Sequence, residues 1–257
     1  MTLDNLPEQL QKNLEAAGLA DLTVDQCEII RRFLAGERTL VSGHDGAGKL
    51  TALVIGFAAK ALASRRSLET GRLPEGLLIT NHPEDAIVAA ALFERLTHGS
   101  GLKAAGVSIG RKVPRMREIE TGIDFAAGPL DYLEAEFERS GLKLSALKTT
   151  AVYRVDEFAA KPALWRRLVD AATEMSKTAR CGIIFTMGSR STDTERLVRA
   201  LFPSTNVVRL LGRWREPDIL EAFRLVKRRG RLAEVMRLIK AVPDGERILV
   251  IAGRKRA

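Results

Sequence analysis

The residues best suited to chemistry form a glycine-rich segment that ends in a lysine. It runs Gly43-His-Asp-Gly-Ala-Gly-Lys-Leu50 between a predicted strand and a predicted helix, the context of a phosphate-binding P-loop (G-x-x-x-x-G-K-[ST]). Glycines let backbone N–H groups point at phosphate oxygens, and the helix N-terminus adds positive potential. Lys49 would supply a point charge for the outer phosphates. The alternative is a glycine-rich turn with a surface lysine. The candidates for ligand binding are Gly43, Asp45, Gly46, Ala47, Gly48, Lys49, Leu50 and Thr51.

Two positions in this loop predict impaired nucleotide binding. Leu50 stands where the motif has Ser or Thr, whose hydroxyl binds Mg²⁺, and Thr51 is rotated by about 100° around the helix. Asp45 adds a carboxylate, and a unit charge ~4 Å from a phosphate costs about 4 kcal/mol at an effective dielectric of about 20. One backbone hydrogen bond to the phosphate would stabilise the complex by only roughly 1 kcal/mol. We expect nucleotide binding to be weak or lost, with a smaller penalty if Asp45 turns toward solvent.

An acidic pair, Asp156 and Glu157, follows the apolar segment Val152-Tyr-Arg-Val155. The carboxyl ends of parallel strands are where an α/β sheet presents its ligands. Asp156 is therefore a candidate metal ligand, for Mg²⁺ directly or through water, and Glu157 a candidate for polarising an attacking water. The alternative is that the pair only begins a helix, where acidic side chains are also favoured.

Apolar strands alternate with amphipathic helices along residues 1–210, which predicts an α/β fold with a mostly parallel sheet covered on both faces. The predicted strands are Arg38–Ser42, Gly76–Thr80, Ala104–Ile109, Gly122–Ala126, Thr150–Val155, Gly182–Met187 and Asn206–Leu210. The predicted helices are Leu6–Ala17, Asp25–Leu34, Gly48–Ser64, Pro83–Thr97, Leu130–Arg139, Ala163–Met175 and Thr192–Leu201.

Residues 211–257 form a different, basic segment. Ile219–Val226 and Leu232–Ile239 have helical periodicity, and Arg247–Ile251 is predicted to be one strand. Residues 208–257 hold 14 Lys/Arg and 6 Asp/Glu, so they account for +8 of the net charge of +9. Such a field attracts polyanions, although a solvated helix face is the plain alternative. The candidate nucleic-acid contacts are Lys227, Arg228, Arg229 and Arg231.

Composition narrows the class of protein. The 257 residues are 46% apolar, enough for a sizeable core. The N-terminus lacks the features of a signal peptide, and the longest apolar stretch, 51–63, is too short to cross a bilayer, so we expect a cytoplasmic protein without membrane contact. Cys27 and Cys181 show no metal-ligand spacing, and neither do His44, His82 and His98.

Further segments resemble the first RecA-like lobe of DEAD-box ATP-dependent RNA helicases, in superfamily 2. Leu22-Thr-Val-Asp-Gln26 is similar to the family's Q motif, with Gln26 17 residues before Gly43. The resemblance covers residues 4–210 and, more weakly, 211–252, which look like the linker and first strand of a second lobe. It implies a three-layer RecA-like P-loop fold and a C-terminal helical extension. It also implies ATP and Mg²⁺ as cofactors, adenine recognition by Gln26 with support from Thr23, and Lys49, Asp156 and Glu157 as the catalytic residues.

The chain departs from the family pattern at several positions. Asp156-Glu-Phe-Ala159 resembles Asp-Glu-Ala-Asp, but Ala159 replaces the aspartate that links the nucleotide to a later motif. Phe185-Thr-Met-Gly188 stands where the family has Ser-Ala-Thr. Neither Asn81–Ala86 nor Phe125–Leu133 retains the arginine of the corresponding RNA-contacting motif, and no aromatic residue precedes Phe33 to stack on adenine.

These departures lead to two hypotheses of different classes. The first is a degenerate, helicase-like protein that binds RNA, ribonucleoprotein or a protein partner through 211–257, has weak or lost ATP binding, and does not unwind RNA autonomously. The second is an ATP-dependent RNA helicase, or its N-terminal fragment, that hydrolyses Mg-ATP. The concurrent changes at Leu50, at Ala159 and in the RNA-contacting motifs favour the first, with enzymatic turnover absent or very weak. The spacing of Gln26 argues against another class of P-loop enzyme.

Overall fold

The computed structural model describes residues 6–64, 74–106, 122–140, 146–178, 182–188, 191–210 and Arg237. Within these residues, seven strands form one parallel sheet in the order β3-β4-β2-β5-β6-β1-β7. This confirms the predicted α/β class. The strands are β1 (Thr39–Ser42), β2 (Gly76–Thr80), β3 (Ala104–Gly106), β4 (Phe125–Pro129), β5 (Thr149–Val152), β6 (Gly182–Met187) and β7 (Asn206–Arg209).

Helices cover both faces of the sheet and complete three layers. They are α1 (Glu8–Ala16), α2 (Val24–Ala35), α3 (Lys49–Ala63), α4 (Pro83–Leu96), α5 (Leu130–Ser140), α6 (Val155–Ala159), α7 (Pro162–Thr178) and α8 (Thr192–Leu201). One core lies between the sheet and α1–α4, and a second lies between the sheet and α5–α8. Successive strand side chains alternate between them: Leu78 faces the first core, and Leu77 and Ile79 face the second.

The first core is centred on a chain of four phenylalanines. The ring of Phe33 on α2 lies 4.7 Å from that of Phe57 on α3, and Phe57 lies 4.8 Å from Phe125 on β4. Phe125 in turn stacks on Phe93 of α4 at 4.8 Å. Aromatic pairs of this kind contribute about 0.5–1.5 kcal/mol each beyond the burial of their surface. They hold α2, α3 and α4 against the sheet, and α2 and α3 carry the residues of the predicted site.

Two predicted strands have different bounds in the structure. The strand predicted at Gly122–Ala126 is β4, which begins at Phe125 and pairs with β2 as far as Thr80 and Pro129. The strand predicted at Thr150–Val155 ends at Val152. The three residues that follow Val152 are therefore free to leave the plane of the sheet before the acidic pair.

The chain divides into two compact units, Met1–Trp214 and Arg215–Ala257. All but one of the described residues belong to the first unit, and Arg237 is the described residue of the second. The predicted C-terminal helices and the strand at Arg247–Ile251 otherwise lie outside the described residues, so the boundary at 210/211 stays a prediction. Across the described ranges, no helix is both long and apolar enough to span a bilayer.

Candidate phosphate-binding site

The glycine-rich loop leaves the carboxyl end of β1, which lies between β6 and β7. Gly43 N donates to Met187 O on β6 at 3.4 Å, and Leu210 N donates to Ser42 O at 2.8 Å. A Cβ added to Gly43 would lie 2.7 Å from Leu210 Cδ1, so a larger residue would collide there. The loop thus contacts the residues at the ends of both neighbouring strands. It lies beyond the carboxyl ends of the strands, where parallel α/β folds bind ligands.

The backbone of the loop is curled through two left-handed glycines. Gly46 has φ 85° and Gly48 has φ 72°, a conformation that glycine adopts with little strain. Gly48 is the N-cap of α3, so the first N–H groups of this 15-residue helix open toward the loop. This is the arrangement from which a phosphate-binding loop is built.

Lys49 lies inside the curl, with only 3% of its surface exposed. Its Nζ donates to Gly43 O at 2.7 Å and to His44 O at 2.6 Å. Burial lowers the pKa of Lys49, the charge of Arg154 lowers it further, and Asp45 and Asp156 oppose that shift. In this state the ammonium is bound by the carbonyls of its own loop.

Thr23 and Gln26 are brought against the loop by the start of α2. They form a capping box, in which Gln26 N donates to Thr23 Oγ1 at 3.2 Å and Thr23 N donates to Gln26 Oε1 at 2.9 Å. A Cβ added to Gly48 would lie 2.4 Å from Gln26 Nε2. The amide of Gln26 therefore packs directly on the glycine that begins α3.

The structure also places Arg154 at this site, a residue that the sequence analysis did not select. Arg154 follows the end of β5 and has φ 55° and ψ 56°, the positive φ of a left-handed residue. Its N–H donates to Thr186 Oγ1 at 3.2 Å, and its Nη2 lies 3.5 Å from Asp45 Oδ1. The one sequence signal was an arginine within the otherwise apolar run Val152–Val155, and it does not locate the end of the strand, which is Val152.

Asp156 lies in the first turn of α6 rather than at the end of a strand. Gly188 N donates to its two carboxylate oxygens at 3.2 and 3.3 Å, and thereby connects α6 to the end of β6. Ala159, which stands in place of the fourth aspartate of the motif, offers no side-chain acceptor for such a contact. Ala159 is the last residue of α6.

Glu157 points toward the loop that follows β2. Its Oε2 accepts a hydrogen bond from Asn81 Nδ2 at 2.7 Å and lies 3.0 Å from His82 Nε2. Its Oε1 lies 3.3 Å from Arg154 Nη1. Three partners thus hold this carboxylate.

The donor set around Asp156 lacks the hydroxyl that a P-loop supplies to Mg²⁺. Leu50 has no oxygen and packs against the first core, and the guanidinium of Arg154 brings a positive charge to the same region. Mg²⁺ requires oxygen ligands in near-octahedral geometry. Among the side chains that the structure describes, no cluster of three or more His, Cys, Asp or Glu is placed to hold a metal ion.

Comparison with known proteins identifies solved structures that share this fold. No protein-family model matches the sequence, and a comparison with curated proteins finds no relative. A hypothetical ATP-dependent RNA helicase from Sulfolobus tokodaii matches 80% of this chain with a TM-score of 0.66 and 13% identity. A DEAD box protein from Methanococcus jannaschii matches 92% of the chain with a TM-score of 0.65 and 17% identity. The fold is the RecA-like α/β fold of these two structures.

The chain covers 57% and 62% of the lengths of these two structures. This RecA-like domain brings Thr23, Gln26, Asp45 and Lys49 close to Asp156, and their assignment as a ligand site stays a prediction. Glu157 is directed at Asn81 and His82. The predicted basic contacts Lys227, Arg228, Arg229 and Arg231 lie outside the described residues.

Proposed function

We propose that this chain is a degenerate DEAD-box-helicase-like protein of the cytoplasm, which binds RNA or ribonucleoprotein and does not hydrolyse ATP or unwind RNA autonomously. In this proposal residues 1–210 form the RecA-like domain and 211–257 form a basic extension. The observation that carries the proposal is the ion pair between Arg154 and Asp45 beside a loop whose metal-binding hydroxyl is replaced by Leu50.

Hydrolysis of a phosphoanhydride requires developing charge to be neutralised and a water to be positioned. The groups that would do this have other partners here. Lys49 donates to two loop carbonyls, and Glu157 is held by Asn81, His82 and Arg154. A ligand would have to replace several of these contacts before any chemistry began, which supports weak or lost ATP binding.

The RNA-binding part of the proposal rests on charge. Residues 208–257 carry a balance of +8, and Lys227-Arg-Arg-Gly-Arg231 is the densest cluster in that segment. Contacts of this kind neutralise phosphates, depend strongly on salt and show little sequence preference. Only Trp214 and Phe223 are available there for stacking on bases, so the backbone is the expected target. The same segment is the surface for a protein partner if RNA does not bind.

Fluorescence anisotropy with a generic single-stranded RNA across a salt series tests this role. Replacing Lys227, Arg228, Arg229 and Arg231 by Gln should reduce the slope of log affinity against log salt by about 3, since each phosphate contact contributes about 0.7. The matched control replaces four exposed basic residues of the domain by Gln: Lys12, Arg31, Arg196 and Arg199. Equal loss in both variants, or full binding by residues 1–210 alone, would remove the proposed role of the extension.

A second candidate function is an ATP-dependent RNA helicase or its N-terminal fragment. Gln26 packs against Gly48, and Lys49 lies inside the curled loop. These contacts favour the helicase candidate because they bring together the residues that the resemblance assigns to nucleotide binding. Turnover of ATP in the presence of RNA discriminates between the two candidates.

A further inference from the structure

Two cations and two carboxylates share the region in front of the phosphate loop, and a third carboxylate, that of Glu157, lies 3.3 Å from Arg154 Nη1. Lys49 is close enough to Arg154, Asp45 and Asp156 for all three charges to influence its ionisation. A Cβ added to Gly188 would lie 3.3 Å from Asp45 Oδ1 and 3.5 Å from Asp156 Oδ2, so both carboxylates border the same glycine. The four side chains therefore form one cluster at the end of β1, β5 and β6.

Arg154 is held in this cluster by its backbone. Among described residues other than glycine it alone has a positive φ, a conformation that costs an arginine stability and that concentrates at functional sites. The hydrogen bond from its N–H to Thr186 Oγ1 stabilises this turn. As a result the guanidinium comes within 3.5 Å of the loop carboxylate of Asp45.

The two carboxylates differ in how easily they can move. Asp156 is fixed by the N–H of Gly188. The side chain of Asp45 is 67% exposed, and Arg154 is its one ion-pair partner among the described residues. Asp45 can therefore turn outward by side-chain rotation alone, which would leave Lys49 and Arg154 facing the curled loop.

We propose that this loop binds the phosphate chain of a polyphosphate ligand without a divalent metal, with the guanidinium of Arg154 as the second cation beside Lys49, and with Asp45 as an internal competitor that the ligand displaces. A guanidinium suits this role because its fixed fork of donors matches phosphate oxygens in a bidentate manner. The exchange replaces one anion on Arg154 by another, and the displaced carboxylate of Asp45, already 67% exposed, is hydrated by solvent.

This inference depends on the loop being a phosphate loop, but not on RNA binding by residues 211–257. Calorimetric titration of the full chain with ATP and with inorganic tripolyphosphate, each in excess EDTA and in excess MgCl₂, tests it. The variants are Asp45→Asn, Arg154→Gln and Arg154→Lys. The matched control is Arg196→Gln, which removes the same charge from a side chain that is 79% exposed on α8.

The expected result is an affinity for ATP in EDTA within about twofold of that in MgCl₂. Asp45→Asn should raise the affinity in EDTA about tenfold, and Arg154→Gln should lower it about tenfold, the size of one charge-assisted contact. Arg154→Lys should stay closer to wild type than Arg154→Gln, and Arg196→Gln should equal wild type. Similar affinities for tripolyphosphate and ATP would identify the phosphate chain as the ligand, whereas tighter binding of ATP would identify a nucleotide.

Three results would overturn the inference. The first is a tenfold or larger gain in affinity of the wild type on adding Mg²⁺. The second is an affinity in EDTA that Arg154→Gln leaves unchanged. The third is the absence of binding by both the wild type and Asp45→Asn at millimolar concentrations of either probe, and this outcome does not depend on the folding of the Arg154 variants.

Discussion

Arg154 Nη2 lies 3.5 Å from Asp45 Oδ1, and this ion pair joins the end of β5 to the phosphate loop. The two charges act in opposite directions on a phosphate ligand: the carboxylate of Asp45 repels it, and the guanidinium of Arg154 attracts it in a region where a metal would otherwise carry positive charge. Together they neutralise each other. The charges at positions 45 and 154 are therefore complementary.

Oxygen ligands should create a response to Mg²⁺ in this loop. The combined change Asp45→Thr, Leu50→Thr and Arg154→Glu removes the ion pair and supplies a hydroxyl and a carboxylate, which are the ligands that Mg²⁺ prefers. We expect Mg²⁺ to raise the affinity of this variant for ATP at least about tenfold, measured by calorimetry. Asp45→Thr alone is the control and should show no such response; equal affinities of the triple variant in EDTA and MgCl₂ would show that other groups exclude the metal.

The capping box of α2 should contribute to stability. Thr23→Ala removes the oxygen that accepts from Gln26 N, and loss of such a cap costs about 1 kcal/mol of the free energy of unfolding. Thr23→Ser keeps the oxygen and should remain close to wild type. Urea unfolding followed by circular dichroism measures both variants. An alanine variant as stable as the serine variant would show that the cap is not used in solution.

Glu28 on α2 should give the domain a stability that depends on pH. Hydrogen bonds from Arg31 lower the pKa of Glu28 from 4.5 to about 2, against the effect of burial, and Arg32 adds to the shift. A carboxyl with a lowered folded-state pKa stabilises the protein above the unfolded value of 4.5, and this contribution is lost as the pH falls from 4.5 toward 2.

Glu28→Gln should therefore lower the free energy of unfolding at pH 7 by about 1 kcal/mol, a value reduced from the full shift because the pair is partly exposed. The difference from wild type should shrink as urea unfolding is repeated at pH 4 and pH 3. Glu8→Gln is the control, since the pair of Glu8 with Lys12 is largely exposed and should matter less. A difference that does not change with pH would assign the effect of Glu28 to packing.

Much of the fold could be predicted from local patterns. Apolar runs such as Gly76–Thr80 are buried along their whole length, which is typical of a central strand of a parallel sheet covered by amphipathic helices. Capping signals were equally direct, because Thr23 and Gln26 have the spacing of a capping box. Strand ends were less predictable. The strand β4 has the sequence Phe-Ala-Ala-Gly-Pro, and the hydropathy of these mostly small residues does not show where the strand begins or ends.

The site was predicted in part. The loop was identified because a phosphate-binding turn requires glycines and a lysine at a fixed spacing. Thr23 and Gln26 were identified because they have the spacing of a capping box and lie at a fixed distance before the loop. Arg154 was not identified, because its role depends on a left-handed turn that ends β5 three residues early, and no periodicity encodes that turn. Its partner Asp45 was interpreted as a defect for the same reason, since the compensating charge lies 109 positions away in the chain.

Release of phosphate from Mg-ATP by the full chain, measured at steady state with and without RNA, tests the central claim most directly. The arrangement of Leu50, Arg154 and Glu157 predicts no RNA-stimulated release above background. A stimulated rate of about 1 s⁻¹, ordinary for a slow enzyme, would contradict the claim and establish this chain as an ATP-dependent enzyme.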